Sequence, residues 1–231
     1  MDPHAENYLP VSPYAYVGNN PIIFIDPDGR DLWHINERGE IVHHDPEYTD
    51  ADKFVIVSYD SEGNVVEGQS IEFDYETVTA VRRPTVNVER RGEIESNTMT
   101  LFEISGDENA TQLFEFFADP TNTGVEWTDA KIGYEDSGRN VVGTSHSEEF
   151  TAVGGYLRDT NYTLRSVSHN HPGGTGPSGR PGGLTGDIPN AALYHQRNPN
   201  TVLSVYIHPN NYIYYNQFGV IRQLPPVQIT P

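Results

Sequence analysis

"YTLRSVSHNHP", residues 162–172, decides how this chain is read. Its β-prone, alternating residues predict a strand, and Pro172 with the glycines after it ends that strand at once. In a strand, residues i and i+2 face the same way, so His169 and His171 present two imidazoles to one point. Asn170 between them faces the other way and is expected to take no part. Two imidazoles at this spacing suit zinc, which takes neutral histidine and carboxylate in tetrahedral geometry and in catalytic sites keeps one position for water.

Two carboxylates bear on the pair. Asp187 opens "DIPNAALYHQRN" (187–198), a predicted helix with Asp187 at its N-cap, Pro189 in its first turn and an apolar stripe of Ile188, Ala191 and Ala192. Glu126 lies upstream between Val125 and Trp127, in an apolar stretch that favours partial burial.

Further outward, "GDENATQLFEFFADPT" (106–121) predicts a helix. Ala110, Leu113, Phe114 and Phe117 follow the i, i+3, i+4, i+7 rule, Ser105 or Asp107 is placed to cap it, and Pro120 stops it. "GVEWTDAKIG" (124–133) reads as a strand and "NVVGTSHSEEFTAVGGYL" (140–157) as two more. "TVLSVYIHPNNYIYYNQFG" (201–219) reads as a hairpin turning at residues 209–211. The C-terminal half is thus a mixed α/β unit. Before it, "WHINERGEIVHH" (33–44) and "FVIVSYDSEGNVVEG" (54–68) each place a glycine turn between β-prone runs, which predicts two hairpins in a β-rich lead-in.

Composition narrows the chemistry. The 231 residues suffice for one large domain or a domain with an appendage. The absence of cysteine removes disulfides, thiolate nucleophiles and the cysteine-ligated zinc deaminases, so any metal must be held by histidine and carboxylate. A formal net charge of -19 opposes binding to nucleic acid, because Arg82-Arg83 and Arg90-Arg91 are set among acids. No apolar run is long enough for a membrane helix, and no signal-peptide pattern opens the chain.

The set Glu126, His169, His171 with Pro172, and Asp187 resembles the JAMM (JAB, MPN+) zinc metalloproteases, whose pattern is a glutamate, then HxHP, a Ser or Thr, and an Asp. The resemblance spans about residues 105–220, with 43 residues from Glu126 to His169. "LFEFFADPTNTGVEW" (113–127) and "GTSH" (143–146) look like the JAB-like toxins found behind RHS cores. Independently, "YLPVSPYAYVGNNPIIFIDPDGRD" (8–31) resembles the end of the RHS repeat-associated core, where NNP and DPDG motifs close a shell ahead of variable cargo. Asp26 and Asp28 match acids that support self-cleavage in that family; with the rest of the shell absent, cleavage is not expected here.

These resemblances imply an α/β (α+β) fold, a JAMM/cytidine-deaminase-like mixed sheet flanked by helices after a hairpin-rich region. Residues 1–31 would be the RHS remnant, 32–104 the lead-in and 105–231 the toxin domain. They imply Zn2+ held by His169, His171 and Asp187, with Glu126 as general base, its pKa raised by apolar neighbours. Ser178 would fill the Ser/Thr position and help stabilise the oxyanion, with Thr185 as the alternative. His171 to Asp187 is 16 residues, longer than usual in the family, which implies an inserted "RPGGLTG" (180–186); residues 179–186 could instead form a flap over the site. The implied partners are a protein or peptide substrate, a cognate immunity protein and the parent RHS shell, with no nucleic acid and no membrane. The implied location is that of a secreted or delivered effector.

Two alternatives stand beside this reading. The letters His169-Asn170-His171 spell an HNH nuclease, although that fold spreads the three residues over a ββα finger. The long interval before Asp187 suits a degenerate metal-binding or interaction module. The remaining candidates read as structural. His43 and His44 point to opposite strand faces, His146 serves the fold, His195 is exposed on its helix, His208 belongs to a turn and Trp127 to the core. Glu135, Glu148 and Glu149 are solvated competitors for the base.

Overall fold

The structure, a computed structural model, describes residues 31–46, 51–90, 93–134, 139–160 and 162–223. The RHS-like segment, Asp31 apart, and Glu135 lie outside the described residues. The two expected hairpins form: β1 (Leu32–Asn36) pairs antiparallel with β2 (Ile41–Asp45), and β3 (Ala51–Tyr59) with β4 (Val65–Asp74). β1 also runs parallel to β3, which makes one four-stranded sheet.

β5 (Val78–Arg82) does not join that sheet. It crosses to pair with β8 (Thr100–Ser105), and between them β6 (Thr85–Arg90) and β7 (Glu93–Thr98) form a separate two-stranded arm. α1 (Asp107–Ala118) follows, then β9 (Trp127–Ile132), β10 (Arg139–Thr144), α2 (Val153–Asp159), β11 (Leu164–Asn170), α3 (Asp187–Arg197), β12 (Val202–Ile207), β13 (Asn211–Asn216) and β14 (Gly219–Gln223). The larger sheet has eight strands in the order β14-β13-β12-β11-β9-β10-β8-β5, and it takes β5 and β8 from the chain before residue 106. The architecture is mixed α/β, as expected.

Each face of this sheet is covered, so β9 near its middle is buried along its whole length, with Asp129 and Lys131 paired at 2.9 Å. On one face, Ala110, Leu113, Phe114 and Phe117 of α1 are fully buried against Phe102, Trp127 and Tyr206, and Trp33 and Phe54 of the first sheet close the same core. Trp127 stacks on Phe117 with ring centroids 4.1 Å apart, so it is a core residue. On the other face, Val153 and Leu157 of α2 and Ile188 and Ala191 of α3 pack on Ala130, Val167, Leu203 and Val205.

Three local expectations are corrected. The stretch 140–157 gives one strand and then helix α2, not two strands, because Val153 and Leu157, a turn apart, are buried together under the sheet. Neither Ser105 nor Asp107 caps α1: Gly106 takes the N-cap position, and Asp107 turns instead to Arg165, with hydrogen bonds of 2.8 and 3.0 Å. Asp187 is the first residue of α3 rather than its cap, which is Gly186, and its carboxylate is used elsewhere.

Candidate metal centre

β11 is an inner strand, flanked by β9 antiparallel and β12 parallel. Its alternation puts Val167 and His169 on the α2/α3 face; the strand ends at Asn170, and His171 lies just beyond it. α3 starts on the same face, and residues 178–187 return Asp187 to the two histidines. His169 Nε2 lies 3.1 Å from His171 Nε2 and 3.1 Å from Asp187 Oδ1, and His171 Nε2 lies 3.4 Å from Asp187 Oδ2. Among the described residues this trio is the group of histidine and carboxylate side chains placed to hold a metal ion.

The donor set fits zinc. Tetrahedral Zn2+ with bonds of about 2.0–2.1 Å requires ligand atoms about 3.3 Å apart, close to the spacings in the cluster. The tautomer is also prepared. His171 Nδ1 faces the Thr175 carbonyl at 3.0 Å, so Nδ1 carries the proton and Nε2 keeps its lone pair for a metal.

The electrostatics of the cluster favour a positive charge at its centre. Burial alone would raise the Asp187 pKa, but hydrogen bonds from His169 and His171 and from the Ser178 backbone hold the carboxyl well below the usual carboxylate range. Burial alone would lower His171; the Asp187 hydrogen bond and charge, and then Glu126, outweigh it and raise the imidazole. A proton or a metal cation can supply the charge that the carboxylates call for.

Glu126 precedes β9 and is buried, as its apolar neighbours suggested. Its Oε1 lies 4.0 Å from His171 Nε2, so the carboxylate stands beside the cluster without joining it. Together these side chains line a cleft of about 480 Å³ between α2 and α3, with Phe150, Arg158, Tyr194 and Tyr215 on its walls.

Ser178 is placed differently from the expected oxyanion donor. Its hydroxyl and its backbone N–H both donate to Asp187 Oδ2, at 2.8 and 2.6 Å, so the hydroxyl proton is committed to the carboxylate. Thr185 lines the cleft, and the hydroxyl that donates to Asp187 is that of Ser178. Asn170 does face away from the histidines, yet it is not idle: its side-chain amide bonds to the backbone on both sides of Glu126. Helical and strand periodicity carries no signal for a contact across 43 residues.

The other histidines among the described residues serve the fold. His44 pairs with Asp31 and stacks on Trp33, while the His43 ring lies against His34. His146 faces Thr100 Oγ1 and the Arg38 carbonyl, each at 3.1 Å. His195 is half-buried rather than exposed, because its ring nitrogens meet Gln217 and the Thr201 carbonyl. His208 sits in the turn before β13. Of the competing acids, Glu148 and Glu149 are exposed, and Glu149 reaches the rim of the cleft.

Residues 102–192 match the family model described as JAB-like toxin 1, so this stretch is similar to that family. The match runs from β8 into α3 and includes Glu126, His169, His171, Ser178 and Asp187. No curated protein and no solved structure matches the chain.

Proposed function

We propose that the JAB-like toxin domain is a zinc-dependent peptidase or isopeptidase. The observation that carries this reading is the convergence of His169, His171 and Asp187 at 3.1–3.4 Å, with the Glu126 carboxylate 4.0 Å from His171, at the floor of one cleft. His169 and His171 through Nε2, with Asp187, would hold the ion. Zinc bound there would supply Lewis acidity, polarising a carbonyl and making a water nucleophilic near neutral pH.

The chain's own groups then divide the work. Glu126 accepts a proton from the attacking water at its carboxylate and returns it to the leaving amine nitrogen. The Thr175 carbonyl, accepting from Nδ1–H, keeps His171 in the tautomer that presents Nε2. Burial of the cluster keeps bulk water from screening these charges. Because the Ser178 proton is held by Asp187, its first role is to fasten that ligand.

The cellular reading follows from the family and from the N-terminal resemblance. We place the domain as the toxin tip of an RHS-type polymorphic toxin, delivered into a target cell, acting on a protein or peptide and restrained by a cognate immunity protein. Asp187 standing with both histidines favours an active centre over a degenerate module, and the charge of -19 disfavours a nuclease. A zinc-stoichiometry assay on His169→Ala, Asp187→Ala and Glu126→Gln tests the ligands: one equivalent is expected in wild type and Glu126→Gln, and zinc retained without both His169 and Asp187 would overturn the assignment. A proteome-wide cleavage screen of wild type against Glu126→Gln, in cells without the immunity protein, tests the activity; identical peptide profiles would sink it.

A further inference from the structure

The chain places an uncharged amide between its two metal-site histidines, and that amide is spent on the segment that carries Glu126. Asn170 is buried, and its Oδ1 accepts from the Trp127 N–H at 2.6 Å while its Nδ2 donates to the Val125 carbonyl at 3.3 Å. This is the amide orientation in which both bonds form. The geometry imitates a strand pair. The β9–β11 ladder ends at His169 opposite Thr128, and at the next position the Asn170 side chain takes over as a surrogate peptide.

Glu126 itself is held by two more bonds. Its N–H donates to the Ser147 carbonyl at 2.8 Å, and its carbonyl accepts from Thr144 Oγ1 at 2.8 Å. The four backbone groups around the Glu126 Cα (Val125 C=O, Glu126 N–H, Glu126 C=O and Trp127 N–H) are therefore all tied down. With both flanking peptide planes fixed, the direction of the Cα–Cβ bond is fixed, and only the side-chain rotamer remains to be chosen.

We propose that Asn170 is a positioning residue, joining the strand that bears the histidines to the residue that acts as base, so that Glu126 keeps its register with the metal cluster. The inference rests on the zinc-hydrolase reading. It goes beyond it in assigning a role to the central residue of His-Asn-His. The chemistry is specific to an amide. Aspartate would keep the acceptor for Trp127 N–H but set a carboxylate oxygen against the Val125 carbonyl, and alanine would leave both backbone groups unpaired in a buried position.

The test is a zinc titration of the full chain carrying 13C-labelled glutamate and histidine side chains, followed by NMR. Glu126→Gln identifies the Glu126 carboxyl signal, and His169→Ala and His171→Ala identify the imidazoles. In wild type, one equivalent of Zn2+ is expected to shift both imidazoles and the Glu126 carboxyl. In Asn170→Ala and in Asn170→Asp, the imidazole shifts are expected to persist, which certifies the fold and the cluster, while the Glu126 shift falls by half or more. A Glu126 response equal to wild type in either folded variant overturns the proposal. Loss of the imidazole response in both variants also overturns it, in favour of a role in holding the cluster itself. Imidazoles that ignore zinc in wild type overturn the metal reading, and this inference with it. With a peptide substrate, Asn170→Ala is expected to lower kcat at unchanged KM and to add no further loss to Glu126→Gln, since both act through one carboxylate.

Discussion

Ser178 and Asp187 are joined by three hydrogen bonds: Ser178 N–H and Oγ–H both donate to Asp187 Oδ2, and Asp187 N–H donates back to Ser178 Oγ at 3.0 Å. The exchange fixes the first turn of α3 and aims Oδ1 at His169. Such outer bonds to a metal ligand matter for affinity as well as for fold.

Ser178→Ala keeps the backbone bond to Oδ2 and loses both bonds of the hydroxyl. Zinc affinity is expected to fall by about 10-fold or more, in line with the loss of a hydrogen-bonded partner to a ligand. Chelator competition measures it. Thr185→Ala serves as the comparison and is expected to bind zinc as wild type does. Equal affinity in Ser178→Ala and wild type would show that the serine has no part in holding Asp187.

The loop between these two residues closes on itself. Gly179 and Gly186 both have positive φ, +80° and +106°, and they touch: a Cβ on Gly186 would lie 2.8 Å from Gly179 N. The loop tip points outward, with Leu184 almost fully exposed. Replacing residues 180–185 with a two-residue Gly-Ser turn is therefore expected to leave zinc affinity within about 3-fold of wild type, because exposed loops with adjoining ends tolerate shortening. Chelator competition again measures it. Collapse of binding would mean that the loop, not Ser178, carries Asp187 to the site.

Much of this arrangement was legible in the sequence, and the illegible parts share a cause. The β11 strand, the α1 and α3 stripes, and the two hairpins follow from periodicity, which local side-chain patterns encode directly. The trio that could hold a metal, His169, His171 and Asp187, was singled out by i, i+2 spacing and a carboxylate opening the next helix. What escaped depends on partners far along the chain. β5 leaves its sequence neighbours to pair with β8, Asp107 leaves its helix for Arg165, and Asn170 reaches Val125 and Trp127. α2 escaped because two adjacent glycines weaken any helical signal, while its stability comes from tertiary burial of Val153 and Leu157.

Those two glycines are predicted to behave oppositely. A Cβ on Gly154 would lie 2.4 Å from Tyr194 Oη and 3.3 Å from Val167 Cγ1, whereas one on Gly155 would meet only Arg158 Nη2 at 3.9 Å. Gly154→Ala is expected to cost about 1–3 kcal/mol by overpacking. It should also displace Tyr194 in the wall of the cleft. Gly155→Ala is expected to gain about 0.5–1 kcal/mol from the better helix former. Urea unfolding of the two variants decides it; destabilisation of equal size would contradict the packing described for α2.

The pH dependence of stability has a contribution from outside the cleft. Asp52 of β3 is buried, and burial pushes its carboxyl up to about 6, only partly opposed by the Val78 N–H that donates to it at 2.7 Å. The nearby Asp31 adds to the rise. Since the folded pKa lies above the unfolded one, the folded state binds the extra proton between about pH 4 and pH 6, and stability from this group declines as pH rises through that window. At about 1.36 kcal/mol per pKa unit the loss is at most about 3 kcal/mol. Asp52→Asn is therefore expected to flatten that part of the curve and to unfold at higher urea than wild type at pH 7, although the two converge near pH 4. Parallel curves for the two proteins from pH 4 to pH 7 would show that Asp52 titrates as an ordinary surface carboxylate and that its burial carries no electrostatic cost.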